Sequence, residues 1–458
     1  MKSLSDNPIC RLLGCARPIV LAGMGGVARS ELVAAVTAAG GFGFLGMVRE
    51  PPALIVEEVG RLRADGIERF GVNIIPAATD SALLSQQVDA ILALRVPAVT
   101  LFWDIDAPLV RRLRDAGIVV AYQVGSVAEA VAAERAGAHV IIAQGREAGG
   151  HVRGDTPLQS LLPAVSSAVK VPVLAAGGLS SGADLVAVLA LGAQGIVLGT
   201  ALLAAKESFA HDYHKLRLLA AEAGDTLLTD IFHINWPRGA RVRVLSSAVT
   251  AGGRGAEAEG ERIAIGSEDG RPIYLFSTDS PLRTTSGDLE SMALYAGTGV
   301  GRVEAIRDAS AILDEIAAEA ERLIAATPSA DQLAEPSSSV CYAGEMGGAY
   351  MGLLDDAEAA EEAAQLAREV VAQLASSPGR VANATPFSPD LLSLSPSLLS
   401  LMPSGGVRTR NTSTASPATL SGRIGLFAAR IPEGAVRRAL VSLRTAMDRV
   451  AATLTEEA

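Results

Sequence analysis

Two features of this chain can do chemistry together: one histidine set among glycines, and two glycine turns able to hold an anion. The segment Ala143-Gln144-Gly145-Arg146-Glu147-Ala148-Gly149-Gly150-His151 follows the apolar run Val140-Ile141-Ile142. A strand this apolar suits burial on both faces, and glycines directly after it let backbone approach a flat or anionic ligand. A neutral imidazole there can take a proton from a carbon acid, and an imidazolium can stabilise an anion. The glycine turns are Ala176-Gly177-Gly178-Leu179-Ser180-Ser181 and Leu198-Gly199-Thr200-Ala201. Both present backbone N–H groups at the start of an expected helix, which suits a phosphate dianion.

The elements that must position these residues repeat from Pro18 to Thr200: a short apolar strand, a turn, then an alanine- and leucine-rich helix. Eight strands are read at Ile19-Val20-Leu21-Ala22, Phe42-Gly43-Phe44-Leu45, Phe70-Gly71-Val72-Asn73-Ile74, Val99-Thr100-Leu101-Phe102, Val119-Val120-Ala121-Tyr122, Val140-Ile141-Ile142-Ala143, Val173-Leu174-Ala175-Ala176 and Ile196-Val197-Leu198. Helices are expected at 30–39, 51–64, 108–116, 127–136 and 181–191, several closed by an Ala-Gly step that supplies the left-handed stop. Eight such units predict an α/β fold, a (β/α)8 TIM barrel, whose sites lie at the C-terminal strand ends with phosphate held after strands seven and eight. Asn73 and Gln144 would then aim amides into the barrel mouth, and the whole suggests a mononucleotide such as FMN.

Past residue 200 the regularity fades. Residues 201–294 are expected to form a small cap: helical then irregular over 211–243, flexible over 250–260, then a hairpin of Arg262-Ile263-Ala264-Ile265 and Pro272-Ile273-Tyr274-Leu275-Phe276. Residues 295–328, with a helix at 309–326, return to the barrel formed by 1–200. Residues 329–458 read as a helical appendix with a Ser/Pro-rich, partly disordered middle.

Composition narrows the function. A net charge of −11 without clustered Lys and Arg argues against nucleic acid. Three cysteines make neither a disulfide framework nor a zinc spacing, and no apolar run of about 18 residues is present, so a cytoplasmic, non-membrane protein is expected. His211 and His214 lack the glutamate of a zinc-protease helix, no metal is expected, and His139 reads as a surface residue. Gly41-Phe42-Gly43-Phe44-Leu45-Gly46 matches a dinucleotide fingerprint literally but runs through a strand, so it is rejected. Gly297-Thr298-Gly299-Val300-Gly301 lacks a Rossmann context but could line a phosphate. Trp103, Trp236 and Tyr295 supply aromatic bulk near the mouth, with burial the favoured reading for Trp236.

The chain resembles the nitronate monooxygenases, FMN-dependent barrels formerly called 2-nitropropane dioxygenases, over about residues 9–327. The resemblance is carried by Pro18-Ile19-Val20-Leu21-Ala22-Gly23-Met24, Gly71-Val72-Asn73, Gln144-Gly145 through Gly149-Gly150-His151, Ala175-Ala176-Gly177-Gly178, Leu198-Gly199-Thr200 and Tyr295-Ala296-Gly297. It implies FMN at Gly23, Met24, Asn73, Gln144, Gly149, Gly177, Gly178 and the turn Val197-Leu198-Gly199-Thr200, with His151 as catalytic base or anion partner. It implies oxidation of alkyl nitronates by O2 to carbonyl compounds and nitrite, without a nicotinamide. FMN-dependent enoyl-[acyl-carrier-protein] and NAD(P)H:quinone reductases share the Glu-Ala-Gly-Gly-His loop, so an NAD(P)H-dependent reductase acting on an enoyl thioester or quinone is the alternative. A non-catalytic interaction protein is a third reading, and homo-oligomerisation is left open.

Overall fold

The computed structural model describes residues 4–254 and 262–326. The expected 329–458 appendix and most of the 250–260 stretch lie outside these residues.

The first element is a short helix the sequence reading did not assign, α1 (Pro8–Leu13), capped by the Asn7 side chain on the N–H of Ile9 and stopped by left-handed Gly14. The repeat then runs β1 (Ile19–Leu21), α2 (Ser30–Ala38), β2 (Phe42–Gly46), α3 (Pro52–Ala64), β3 (Gly71–Ile74), α4 (Ser81–Ala93), β4 (Ala98–Phe102), α5 (Ala107–Asp115), β5 (Val119–Val124), α6 (Val127–Ala136) and β6 (Val140–Gln144). A short strand β7 (Gly150–Val152) intervenes before α7 (Leu158–Ala168), β8 (Val173–Ala176), α8 (Gly182–Ala190) and β9 (Ile196–Leu198). The eight strands other than β7 are parallel and close into a barrel, β9 pairing back onto β1. The expected (β/α)8 fold is the one observed.

Period-two alternation explains both layers of the core. Ile19, Leu21, Val72, Val99, Leu101, Ile141 and Leu198 face the helices in one apolar cluster. Val20, Phe42, Phe44, Ala98, Val140, Ile142 and Val197 fill the barrel in a second, closed at the N-terminal end by Ile9, Cys10 and Leu13 of α1. Continuing the inward series toward the C-terminal ends reaches Asn73, Thr100, Gln123 and Gln144, a layer of amides and a hydroxyl where the apolar packing stops.

After β9 come α9 (Thr200–Leu203), α10 (Asp212–Leu219), β10 (Thr226–Thr229), β11 (Arg241–Leu245), β12 (Ala264–Glu268), β13 (Arg271–Tyr274), β14 (Ser286–Gly287) and α11 (Ala309–Ala326). The 211–243 region is more ordered than expected. It forms a helix and two strands, and β11 pairs antiparallel with β7, setting Val242 opposite His151. The segment read as a glycine loop is thus part of a three-stranded sheet, because β11 takes up the ladder bonds of residues 150–152. The hairpin is shifted from its expected bounds: a two-residue turn at Asp269 and Gly270, both left-handed, sets the register. Helix α11 spans the residues expected of it and packs on α8 and α2.

Candidate active site

The C-terminal strand ends, the 295–299 segment and the β12–β13 hairpin enclose a cavity of about 510 Å3. Gly23, Met24, Asn73, Gln144, Gly149, Gly177, Gly178, Val197, Gly199, Thr200 and His151 all line it. Leu198 does not. Its neighbour Val197 points inward, so alternation turns Leu198 into the barrel–helix layer, where only its carbonyl serves the site region by accepting from Ala22 N.

His151 is held by the strand that carries it. Gln144 Nε2 donates to the His151 carbonyl at 2.8 Å, and Gln144 Oε1 accepts from Arg153 N at 3.1 Å. The amide expected to point at a ligand therefore spans β6 and β7, fixing the histidine's backbone. The imidazole stacks on the Trp236 indole, with centroids 3.2 Å apart and planes 12° from parallel, and Trp103 meets both rings edge-on. Trp103 is itself left-handed at φ 81°, a strained value for a bulky residue. Trp236 is half-buried, a stacking partner instead of the core residue expected.

Four residues lining the cavity carry a buried polar atom that lacks a partner among the described residues: His151 Nε2, Asn73 Oδ1, Arg49 Nε and Glu50 Oε2. Burial, helped by the positive charge of Arg49, holds the His151 pKa well below its ordinary value, so the ring is neutral at neutral pH. Asn73 spends its Nδ2 on the Thr100 carbonyl at 3.3 Å and leaves its oxygen free to accept. Buried orphan atoms of this kind are uncommon and call for an explanation.

The glycine turns form the opposite wall. Gly177 and Gly178 are left-handed, at φ 116° and 71°. The helix start behind them is closed: Asp184 accepts from the N–H groups of Ser180 and Ser181, and Glu319 accepts from Gly182. The anion donors expected at the start of α8 are therefore taken. The free ones lie one step earlier, because Gly178 and Leu179 donate no hydrogen bond among the described residues, and the first N–H groups of α9 at Thr200 and Ala201 have no intrahelical acceptor. Arg302 fastens the turn by donating to the Gly178 carbonyl at 2.7 Å.

The 295–299 segment completes the enclosure. Gly297 N donates to Thr200 Oγ1 at 2.9 Å and Thr298 N to the Glu147 carbonyl at 3.0 Å. Tyr295 donates its hydroxyl to the Thr278 carbonyl at 2.6 Å, and its pKa is pushed up by burial. Beneath it, buried His214 bonds the Tyr295 carbonyl at 3.0 Å through Nε2 and meets Ser280 Oγ at 3.2 Å through Nδ1. His211 caps the start of α10 by accepting from Tyr213 N. Among the described residues no cluster of His, Cys, Asp and Glu could hold a metal, and no helix is long and apolar enough to cross a membrane. His139, expected at the surface, is half-buried with Nδ1 accepting from Val120 N at 3.0 Å.

This geometry agrees with what comparison with known proteins shows. The nitronate monooxygenase family model matches residues 7–319. The chain belongs to the nitronate monooxygenase family. A probable nitronate monooxygenase of Staphylococcus aureus (strain MSSA476) is 29% identical over 283 residues, covering 53% of this chain and 80% of the relative. A nitroalkane oxidase from Streptomyces ansochromogenes is similar in structure, with a TM-score of 0.57, 29% identity, and 69% and 99% of the two chains covered. FabK from Thermotoga maritima superposes equally well, at a TM-score of 0.57 and 28% identity over 70% and 97%. A (3aS,4S,5R,7aS)-5-hydroxy-7a-methyl-1-oxo-octahydro-1H-indene-4-carboxyl-CoA dehydrogenase of Rhodococcus jostii (strain RHA1) is 34% identical over 221 residues, covering 48% of this chain and 62% of that protein. The protein is accordingly an oxidoreductase of the flavin-dependent nitronate monooxygenase type.

Sequence reasoning overlooked Arg49, Thr100 and Gln123 at the cavity and treated Trp236 only as bulk. For Arg49 a signal was present: it stands just past a barrel strand's C-terminal end, where side chains of this fold do chemistry. For Trp236 there was none, since its place beside His151 depends on how residues 230–240 cross the mouth.

Proposed function

We propose that the enzyme binds FMN in this cavity and oxidises alkyl nitronates, and nitroalkanes after deprotonation, with O2 to carbonyl compounds and nitrite. The observation that carries the proposal is a pair of these orphan atoms: a neutral His151 Nε2 and a free Asn73 Oδ1 on one cavity, facing a wall of unpaired backbone N–H groups. Those donors, at Gly178, Leu179, Thr200 and Ala201, suit the phosphate of FMN, and Asn73 Oδ1 suits an N–H on the edge of its ring. Bound FMN supplies an electron acceptor for the substrate and a site for reducing oxygen.

The chain's own residues do the rest. A nitronate arrives already deprotonated and needs only to be positioned. A neutral nitroalkane must lose its α-proton, and His151, held neutral by burial, can accept it. The Trp236 and Phe102 rings, packed against Trp103 behind them, present an apolar wall that favours short alkyl chains over hydrated groups. Incubating the yellow protein with propane-2-nitronate in air and measuring nitrite against oxygen consumed tests the reading; nitrite formation coupled to oxygen uptake is expected, and its absence would overturn it.

The similarity to a dehydrogenase named for a CoA thioester favours a second reading, reduction or oxidation of a thioester substrate with a nicotinamide. Rapid loss of flavin colour with NADH or NADPH in the absence of oxygen would select it.

A further inference from the structure

The cavity contains a cation that the reading above does not use. Arg49 lies in the connection between β2 and α3 and lines the same cavity as His151. Its backbone is left-handed, at φ 59°, a conformation that an arginine adopts at a cost and that recurs where a side chain must be aimed. Its Nη2 donates to Asp279 at 3.1 Å, which ties one arm of the guanidinium to the 277–280 segment over the mouth. Its Nε is buried and has no partner among the described residues. The adjacent Glu50 is not that partner: its Oε1 faces Arg29 Nη2 at 3.4 Å, and its Oε2, buried beside the same cavity, also has no partner among the described residues. The guanidinium is therefore held at Nη2 while the Nε–H on the same edge is left without an acceptor that the described residues supply.

We propose that Arg49 is the anion-recognition residue of this enzyme, its free Nε–H engaging an oxygen of a planar two-oxygen anion, a nitronate or carboxylate group, placed beside His151. The proposal rests on the nitronate-oxidising reading for its choice of substrate, but not for the binding of an anion. It divides the work between two residues: with His151 neutral, the positive charge opposite the substrate oxygens is that of Arg49, and the histidine remains available for a proton. A guanidinium N–H to a planar oxyanion is a charge-assisted bond, short and directional, and it selects the ionised form of a substrate over its neutral acid. Trp236 and Phe102, which line the cavity, then face the alkyl part.

The test uses the full-length, flavin-loaded protein with acetate and nitrate as anions it cannot turn over, and acetamide as a neutral match to acetate. Binding is read by calorimetry and by competition with propane-2-nitronate. Acetate and nitrate are expected to bind and compete, with acetamide at least about tenfold weaker, a difference of one decade in Kd. Arg49→Met is expected to weaken both anions at least about tenfold and to raise KM for the nitronate more than it lowers kcat, at unchanged FMN content. Arg49→Lys, which keeps the charge without the fork, is expected to recover part of the anion affinity and guards against an Arg49→Met protein that fails to fold. Wild-type affinity for acetate and nitrate in Arg49→Met, or equal weakening of acetate and acetamide, would overturn the proposal. If nitronate does not reduce the flavin at all, the proposed reaction falls, while the acetate and nitrate measurements still decide the role of Arg49.

Discussion

The imidazole of His151 and the indole of Trp236 lie face to face, 3.2 Å between centroids and 12° from parallel, and this contact helps keep water from the histidine. A ring so covered resists protonation, since the charged form would lose its hydration. Trp236→Ala should therefore move the acid limb of the kcat/KM profile upward, toward the ordinary histidine value near 6.5. The wild-type limb should lie well below it. With a neutral nitroalkane, which needs the histidine as base, the ratio of activity at pH 6 to that at pH 8 should fall in the variant. An acid limb at the same pH in both proteins would show that the indole does not set the titration.

Gly149 and Gly150 are adjacent but constrained differently. A Cβ on Gly149 would sit 2.5 Å from Gly297 N and 2.7 Å from the Ala296 carbonyl carbon, both backbone atoms. A Cβ on Gly150 would meet nothing within 4 Å, although its φ of 75° is left-handed. Gly149→Ala should force the 295–297 segment away from the β6–β7 turn, with a loss of about 1–3 kcal/mol, as for overpacking, and weaker FMN retention. Gly150→Ala carries only the conformational penalty, roughly 1 kcal/mol. Urea titrations of the two variants, with flavin content measured alongside, should separate them in that order.

Asn73 Oδ1 is the free acceptor on the cavity floor. Asn73→Leu removes it along with the Nδ2 bond to Thr100 and should raise the dissociation constant for FMN by about 10- to 100-fold, the range for losing one buried hydrogen bond of about 1–3 kcal/mol. Fluorescence titration of the flavin-free protein with FMN measures this directly. A variant that binds FMN as tightly as the parent would place the ring's N–H elsewhere.

His214 makes stability depend on pH. Burial lowers its pKa to about 4 in the folded protein, against about 6.5 in the unfolded chain. Between these values the unfolded chain binds a proton that the folded protein refuses, so stability is full above pH 6.5 and declines as pH falls toward 4. The decline from this residue is about 3 kcal/mol at most, at roughly 1.4 kcal/mol per unit. His151, also lowered, acts in the same direction. His214→Gln, which keeps hydrogen-bonding groups but does not titrate, should flatten the fall in unfolding free energy between pH 7.5 and 5. An unchanged slope would count against this assignment.

The barrel was legible in the sequence because its strands are largely apolar on both faces and several helices carry their own stop, such as left-handed Gly137 after α6. The same alternation puts Asn73, Thr100 and Gln144 on the inner face at the mouth, so part of the site follows from counting residues along strands. What could not be read depends on long-range pairing. Residues 150–152 become a strand only because Arg241–Leu245 comes alongside, ninety residues later. The Gln144 amide is absorbed by that strand, and the donors at the start of α8 by its capping box and by Glu319 of α11. Helix α1 has legible caps at Asn7 and Gly14, but six residues are too few to show a period, and its role as a barrel plug depends on tertiary packing.

The most direct test of the account is an anaerobic stopped-flow spectrum of the flavin-loaded protein mixed separately with propane-2-nitronate and with NADH or NADPH. The account predicts loss of the oxidised flavin absorbance with nitronate alone, and recovery of the colour with nitrite release when oxygen is admitted. Reduction by the nicotinamide with no response to nitronate would contradict it and identify a reductase.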